Sequence, residues 1–169
     1  MVSHVVPKDQ NERHRLTLLN LVLGGYFGSR LMQSLREERG LTYGIGSYFR
    51  PAFHNYTWTI SGELNSKYIQ ESIECIAEIF QSLKQIKISV EELYKIKQYY
   101  AGQFRGGFDG PFAINSKVQH LIYRGLPDDY YNTILPSIWA ISAEDIMETA
   151  NNYLETTSFI TVLSGNTTT

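Results

Sequence analysis

The stretch of sequence from Leu23 to Tyr48 reads LGGYFGSRLMQSLREERGLTYGIGSY, and the rest of the chain can be placed around it. It predicts the end of one helix, a glycine-rich turn, a second helix and the start of a strand. Ser29 is a preferred residue type at a helix N-cap, and apolar residues recur after it at helical spacing. Gly40 has the position of a glycine that ends a helix, because glycine readily adopts the left-handed conformation needed there.

The turn between the two predicted helices contains Gly24, Gly25 and Gly28. Glycine-rich loops can bind phosphate, but those loops follow a strand and end in Gly-Lys-Ser or Gly-Lys-Thr. This turn follows a helix and has no such ending. The pattern therefore favours glycines that let two helices approach each other closely.

Arg36 and Tyr43 are separated by one predicted turn. Arg36 falls in the last turn of the second helix, where a cation interacts favourably with the helix dipole. Tyr43 begins the strand that follows. The two side chains should therefore lie near each other. On residue types alone, they read as a helix-capping arginine and a strand aromatic.

Strands and helices are predicted on both sides of this stretch. Alternating apolar residues predict strands at 2–6, 44–52, 56–64 and 158–163. Phe53, His54 and Asn55 are predicted to form the turn between the second and third strands. Caps and apolar stripes predict helices that begin near Asp9 or Asn11, Ser66, Ser89, Phe112, Leu126 and Ser142.

Asn20 interrupts the apolar stripe of the first predicted helix, four residues after Leu16. A buried amide needs hydrogen-bond partners. We expect it to bond to nearby backbone at the edge of the core.

The order of elements predicts an α+β fold, in which an antiparallel-rich sheet is covered by helices on one face. The chain has 169 residues, of which 43% are hydrophobic, and this suits one domain with a sizeable core. We expect residues 1–169 to form a single domain that is a piece of a longer protein.

Composition excludes several kinds of partner. The net charge of −2 shows no basic excess, so nucleic acid is not an expected partner. No apolar run is long enough to span a membrane. A disulfide framework is excluded because Cys75 is the only cysteine, and a small apolar role in a helix suits it best.

The four histidines do not predict a metal site. His4, His14, His54 and His120 are isolated, and no pair has the spacing of ligands on one helical face. The motif H-x-x-E-H is also absent from the sequence. We therefore expect no metal ligands and no cofactor in this chain.

The motif G-G-x-x-x-S-R-L-x-x-x-L-R-E-x-x-G-L-x-Y, which ends at Tyr43, resembles the C-terminal half-domain of insulinase- and pitrilysin-type zinc peptidases. This family includes mitochondrial processing peptidase and its bacterial relatives. Three later segments, I-S-V-E-E-L, G-L-P-x-x-Y and S-x-x-D-I, also follow the family's order. The resemblance thus extends over nearly all of the chain.

The resemblance implies that this half does not hold the zinc. It implies that Arg36 and Tyr43 face a zinc ion held by a partner half, in the same chain or in a separate subunit, and that they act on a peptide substrate as catalytic residues. The loop of Gly24, Gly25, Phe27 and Ser29 corresponds to a segment associated with substrate recognition. The zinc half contains the H-x-x-E-H motif in that family, so this chain alone should hydrolyse nothing.

The same resemblance leaves a second function open. The family also contains non-catalytic subunits, including core subunits of the respiratory cytochrome bc1 complex. The alternative is therefore a scaffold or substrate-binding subunit of the same fold. In either case the face that meets the partner half should expose apolar surface and allow self-association. Aromatic residues are candidates for that face: Tyr26, Phe27, Tyr48 and Phe49.

Overall fold

The centre of the molecule is a three-stranded antiparallel sheet in the order β1–β3–β2. The structure is a computed structural model that describes residues 1–52 and 55–165. The strands are β1 (Val2–Val5), β2 (Thr42–Pro51) and β3 (Tyr56–Leu64). The strand limits predicted for β1 and β3 agree closely with these bounds, whereas the predicted turn at Phe53 and His54 lies outside the described residues.

One face of the sheet is covered by helices, as the sequence predicts. The β2–β3 register pairs Ser47 with Ile60 and Phe49 with Trp58, and these side chains face the helices. Trp58 and Ile60 are buried. The strand positions between them, such as Thr59, lie on the opposite face, which is formed mostly by small and polar residues. The fold is therefore α+β with one covered face.

The first helix changes from α-helical to π-helical geometry at its C-terminal end, which packs against the sheet. Helix α1 (Gln10–Asn20) continues directly into a π-helical turn, Leu21–Gly25. A second π-helical segment, Met32–Glu38, ends two residues before Gly40 and is named here the arginine helix, because it contains Arg36. The other α-helices are α2 (Ile69–Gln85), α3 (Val90–Gly106), α4 (Pro111–Arg124), α5 (Tyr130–Ala140) and α6 (Ala143–Tyr153), and short 3-10 helices occupy Ser66–Tyr68 and Thr156–Ser158.

Helix ends follow the predicted chemistry at most positions. The Asp9 side chain accepts a hydrogen bond from the backbone of Glu12, and Ser142 forms a full capping box with Asp145. Gly40 adopts a φ of +63°, as its position after the arginine helix predicts. Ser29 is the exception, because its buried hydroxyl makes no hydrogen bond and the expected side-chain cap does not form.

Two further expectations are wrong within the described residues. The run 158–163 does not form a strand, and only Ile160 pairs with Val2 in an isolated antiparallel bridge. Asn20 does not bond to nearby backbone. Its Oδ1 is buried and accepts hydrogen bonds from Ser47 Oγ at 2.7 Å and Trp58 Nε1 at 3.0 Å.

Exposed apolar surface occurs mainly where it was not expected. Of the four aromatic candidates, Phe27 and Tyr48 are exposed, whereas Tyr26 and Phe49 are half-buried. Phe49 stacks on Tyr56 on the covered side of the sheet. Helix α4 contains no buried residue and exposes a series of apolar side chains: Phe112, Ile114, Val118, Ile122 and Tyr123. Within the described chain, no helix combines the length and the apolar character that crossing a membrane requires.

Candidate functional site

Arg36, Tyr43 and Phe27 meet at one corner of the sheet. The guanidinium carbon of Arg36 lies 5.4 Å from the centre of the Tyr43 ring and 5.0 Å from the centre of the Phe27 ring. Both distances are typical of cation–π contacts. Tyr43 is 88% exposed and Phe27 is 66% exposed, so both rings are open to a molecule that approaches this corner.

A β-bulge turns Tyr43 out of the sheet. Thr42 pairs with Leu64 and Gly44 pairs with Glu63, so Tyr43 is the additional residue between two ladder positions. Bulges locally bend a strand and redirect a side chain, and they are over-represented next to active sites. This bulge gives Tyr43 its exposed position beside Arg36.

Thr42 holds the bulge together with its own hydroxyl group. The hydroxyl oxygen accepts a hydrogen bond from the backbone N–H of Gly44 at 3.1 Å and donates one to the carbonyl of Glu63 at 2.5 Å. Thr42 is buried, so its hydroxyl group, and not water, is the hydrogen-bond partner of these two backbone groups at the bulge. The sequence did not predict this role of Thr42. The one indication in the sequence was a β-branched residue with a hydroxyl group directly before Tyr43 and Gly44.

Gly24 brings the π-helical turn into direct contact with β2. A Cβ atom at Gly24 would lie 2.7 Å from the backbone nitrogen of Ser47, closer than real Cβ contacts. A Cβ atom at Gly25 would lie 2.9 Å from the Asn20 amide nitrogen. Both glycines therefore have a packing reason to be glycine: one lies against the strand and the other over the buried Asn20.

Ser29 and Arg30 connect this turn to the helices behind it. Ser29 is buried, and Arg30 donates a hydrogen bond to the Glu92 carboxylate of α3 at 2.5 Å. Tyr26 packs against Tyr99 of the same helix, with ring centres 5.3 Å apart. The loop is thus anchored at several points, and Phe27 is the part of it that faces solvent.

The residues of this site can supply hydrogen-bond donors to a substrate. A phenol O–H can donate to a carbonyl or to an oxyanion, and a guanidinium group provides several N–H donors in a fixed plane. No ion pair joins Arg36 to a carboxylate in the described part of the chain. Its donors are therefore available to a ligand.

The histidines do not fit a zinc site. His4 is exposed on β1, His14 is buried in α1, and His120 lies on α4. Across residues 1–52 and 55–165, no three His, Cys, Asp or Glu side chains come close enough to hold a metal ion. Cys75 is buried, and burial raises the pKa of its thiol. The side chains of the described residues therefore offer no set of donors that fits a zinc ion.

Comparison with known proteins identifies the family and the fold of this domain. The family model described as the peptidase M16 inactive domain matches residues 1–100. The chain belongs to the peptidase M16 family through this inactive domain.

Relatives share both sequence and fold with the chain. The "uncharacterized zinc protease YmxG" of Bacillus subtilis is 37% identical over 87 residues, which cover 52% of this chain and 21% of that protein. The "non-peptidase homolog YmxG" of Helicobacter pylori is 28% identical over 131 residues, covering 76% of this chain and 30% of that protein. The structure of a peptidase M16 inactive domain from Pseudomonas fluorescens superimposes with a TM-score of 0.79 at 23% identity. That match covers 92% of this chain and 37% of the other.

The chain spans less than half the length of these relatives. The similarity therefore shows the fold and the family of this domain.

Proposed function

We propose that residues 1–169 are the half of a zinc-dependent endopeptidase that binds the peptide and stabilises the transition state. The zinc site belongs to another domain or subunit in this proposal. The observation that carries it is the Arg36–Tyr43 pair, which a β-bulge and a helix end bring together on an exposed corner.

The chemistry of peptide hydrolysis suits this pair. The reaction passes through a tetrahedral intermediate with a negatively charged oxygen. Tyr43 would donate its phenolic proton in a hydrogen bond to that oxygen, and Arg36 would donate to a substrate carbonyl or carboxylate. One preorganised donor of this kind typically lowers the barrier by about 2.7–4 kcal/mol. The Phe27 ring supports Arg36 from a second direction and limits its freedom before substrate arrives.

In this proposal, one residue of the glycine-rich loop contacts the peptide and the others hold the loop in place. Phe27 is exposed and would contact the peptide directly. Ser29 and Gly24 are buried, and Gly25 is half-buried. These three would contribute to substrate binding by fixing the path of the backbone under Phe27.

A second candidate function is a non-catalytic scaffold or substrate-binding subunit. The name of the Helicobacter pylori relative, "non-peptidase homolog", favours it. The two functions differ in what Arg36 and Tyr43 do. A scaffold would need them at most for packing, whereas an enzyme would need them during turnover.

The test uses the complete protein in which this domain is combined with a zinc-bearing half. Arg36→Ala should raise the KM for peptide hydrolysis more than it lowers kcat, because it removes donors that already hold the ground-state substrate. Arg50→Ala is the matched control, since Arg50 packs over Tyr48 at 5.1 Å near the other end of the same strand. Equal kinetics in the two variants would contradict the enzymatic role and support the scaffold. Zinc content and melting temperature must match the wild type in both.

A further inference from the structure

A polar cavity lies at the other end of β2 and β3 from the Arg36–Tyr43 corner. Its volume is about 400 Å³, and the two sites are separated by the length of β2, about 30 Å for ten extended residues. Side chains from α1, β3, α4 and α5 converge on it. The lining includes Arg13, Asn55, Tyr56, His120, Arg124 and Tyr130.

Arg13 is the centre of this cavity. It is half-buried, and its guanidinium donates hydrogen bonds to the hydroxyl of Tyr130 at 2.5 Å and to the hydroxyl of Tyr56 at 3.4 Å. It also lies 5.9 Å from the centre of the Tyr130 ring. A guanidinium group that is partly shielded from water is often paired with a carboxylate, because shielding an unpaired charge costs free energy. Here its partners are neutral phenols.

The two charged side chains that line the cavity, Arg13 and Arg124, are both positive, and Asp128 and Asp129, which precede Tyr130, form no ion pair within the described residues. Arg124 lines it directly, and Lys117 lies one helical turn before His120 on α4. In the part of the chain that the structure describes, Arg13, Lys117 and Arg124 form no ion pair. Asp9, in the neighbouring groove, accepts a hydrogen bond from the backbone of Glu12 and is not paired with Arg13.

His120 experiences this excess of positive charge. Burial lowers the pKa of its imidazole, and Arg124, Lys117 and Arg13 lower it further. Its Nδ1 lies 2.9 Å from the hydroxyl of Tyr131, which leaves Nε2 as the second ring nitrogen available to a ligand. An anion bound in the cavity would offset the positive charges of Arg13 and Arg124 next to His120.

We propose that this cavity binds a phosphate group, either as free phosphate or as a phosphate monoester. Two guanidinium groups match the double negative charge of phosphate and bind its oxygens in paired hydrogen bonds, and the imidazole of His120 is a further hydrogen-bonding group. The hydroxyls of Tyr56 and Tyr130 and the amide of Asn55 supply further donors. The site is separate from the peptide site and does not depend on the proposed function.

The test is isothermal titration calorimetry, in which the 169-residue chain is titrated with inorganic phosphate at constant ionic strength. Wild-type protein should bind one phosphate with saturation. Arg124→Ala should weaken this binding about tenfold or more, the usual effect of removing one charged partner. Arg124→Lys should recover part of it. Arg124 is exposed, so the fold should tolerate both changes.

Lys67→Ala is the matched control, because it removes one positive charge beyond the opposite end of β3. It should leave phosphate affinity unchanged. A parallel titration with phosphoserine separates the two sources of the ligand: tighter binding than phosphate indicates a monoester, and weaker binding indicates the free anion. The proposal is overturned if wild-type protein shows no saturable phosphate binding, or if Arg124→Ala and Lys67→Ala bind phosphate equally well.

Discussion

The exposed position of Tyr43 depends on its buried neighbour Thr42. Thr42 is buried, and its hydroxyl bridges Gly44 and Glu63 across the bulge. Without that hydroxyl, the bulge would lose two hydrogen bonds, and a strand in regular register with β3 would no longer direct Tyr43 toward Arg36. Buried hydrogen-bonding partners commonly fix the position of the side chains at functional sites.

Thr42→Val should therefore weaken the fold as well as the site. The change keeps the shape of the side chain but leaves the N–H of Gly44 and the carbonyl of Glu63 without their partner. We expect a loss of about 1–3 kcal/mol in the free energy of unfolding, measured by urea denaturation. Thr57→Val is the control, because Thr57 lies on the uncovered face and should change stability by less than about 0.5 kcal/mol. Equal stability of the two variants would show that the hydroxyl of Thr42 does not hold the bulge.

At the scale of elements, the end of the first helix contacts β2 closely because Gly24 has no side chain at the point of contact. The π-helical turn Leu21–Gly25 lies directly over Ser47, and Asn20 reaches under it to Ser47 and Trp58. π-Helical turns are rare and occur frequently at functional sites. In this protein the widened turn lets Gly24 touch the strand that carries Tyr43.

Gly24→Ala should destabilise the domain by about 1–3 kcal/mol, because the new Cβ would overlap the backbone of β2. Gly102→Ala provides an informative comparison. Apart from the neighbouring backbone of its own helix, nothing lies within 4 Å of a Cβ at Gly102, and this glycine is inside α3. Alanine there should stabilise the protein by about 0.5–1 kcal/mol. Thermal unfolding of the two variants should therefore shift in opposite directions, and a shift in the same direction would contradict the packing role of Gly24.

Local chemistry explains which elements could be predicted from the sequence. β3 alternates regularly between the two faces, and Gly40 and Ser142 act within a few residues of their own positions. Both kinds of signal are contained in a short window of sequence. The predicted strand at 158–163 failed because a strand needs a partner edge, and only Ile160 has one in the described residues.

The candidate site could be predicted only in part for a related reason. The spacing of Arg36 and Tyr43 across one turn is a local property, and the two side chains are indeed neighbours. The partners of Asn20 lie 27 and 38 residues away, and the cavity around Arg13 collects side chains from four elements. Such contacts depend on the tertiary fold, which no local pattern specifies.

At the scale of the whole molecule, one buried histidine links stability to pH. His14 is only 3% exposed, and burial together with the charge of Arg13 holds its pKa at about 4. Between pH 6.5 and pH 4 the unfolded chain binds a proton at this residue and the folded chain does not. The free energy of unfolding should thus fall as the pH falls through this window, by about 1–3 kcal/mol from this group.

The histidine contribution can be separated from that of the carboxylates. His14→Gln removes the titrating group, so its unfolding free energy should depend less steeply on pH between 6.5 and 4 than that of the wild type. His4→Gln serves as control, since His4 is exposed on β1. Urea denaturation at several pH values gives the slopes. If His14→Gln keeps the wild-type slope, the burial of His14 does not govern the pH response.

Self-association of the isolated chain stays a prediction. The exposed apolar residues of α4, together with Phe27, provide surface on which copies could meet. Sedimentation velocity over a range of concentrations measures this directly, and a single monomeric species at all concentrations would contradict it.

The central claim is that Tyr43 donates a hydrogen bond to the transition state, and Tyr43→Phe in the complete zinc-containing protein tests it most directly. The change removes one hydroxyl and keeps the ring beside Arg36. We predict that kcat for peptide hydrolysis falls roughly 10²–10³-fold, with a smaller change in KM, because the hydrogen bond strengthens as charge develops. Tyr48→Phe, on the same strand, should keep wild-type kinetics. Full activity of Tyr43→Phe, with unchanged zinc content and melting temperature, would show that Tyr43 is a packing residue and not a catalytic one.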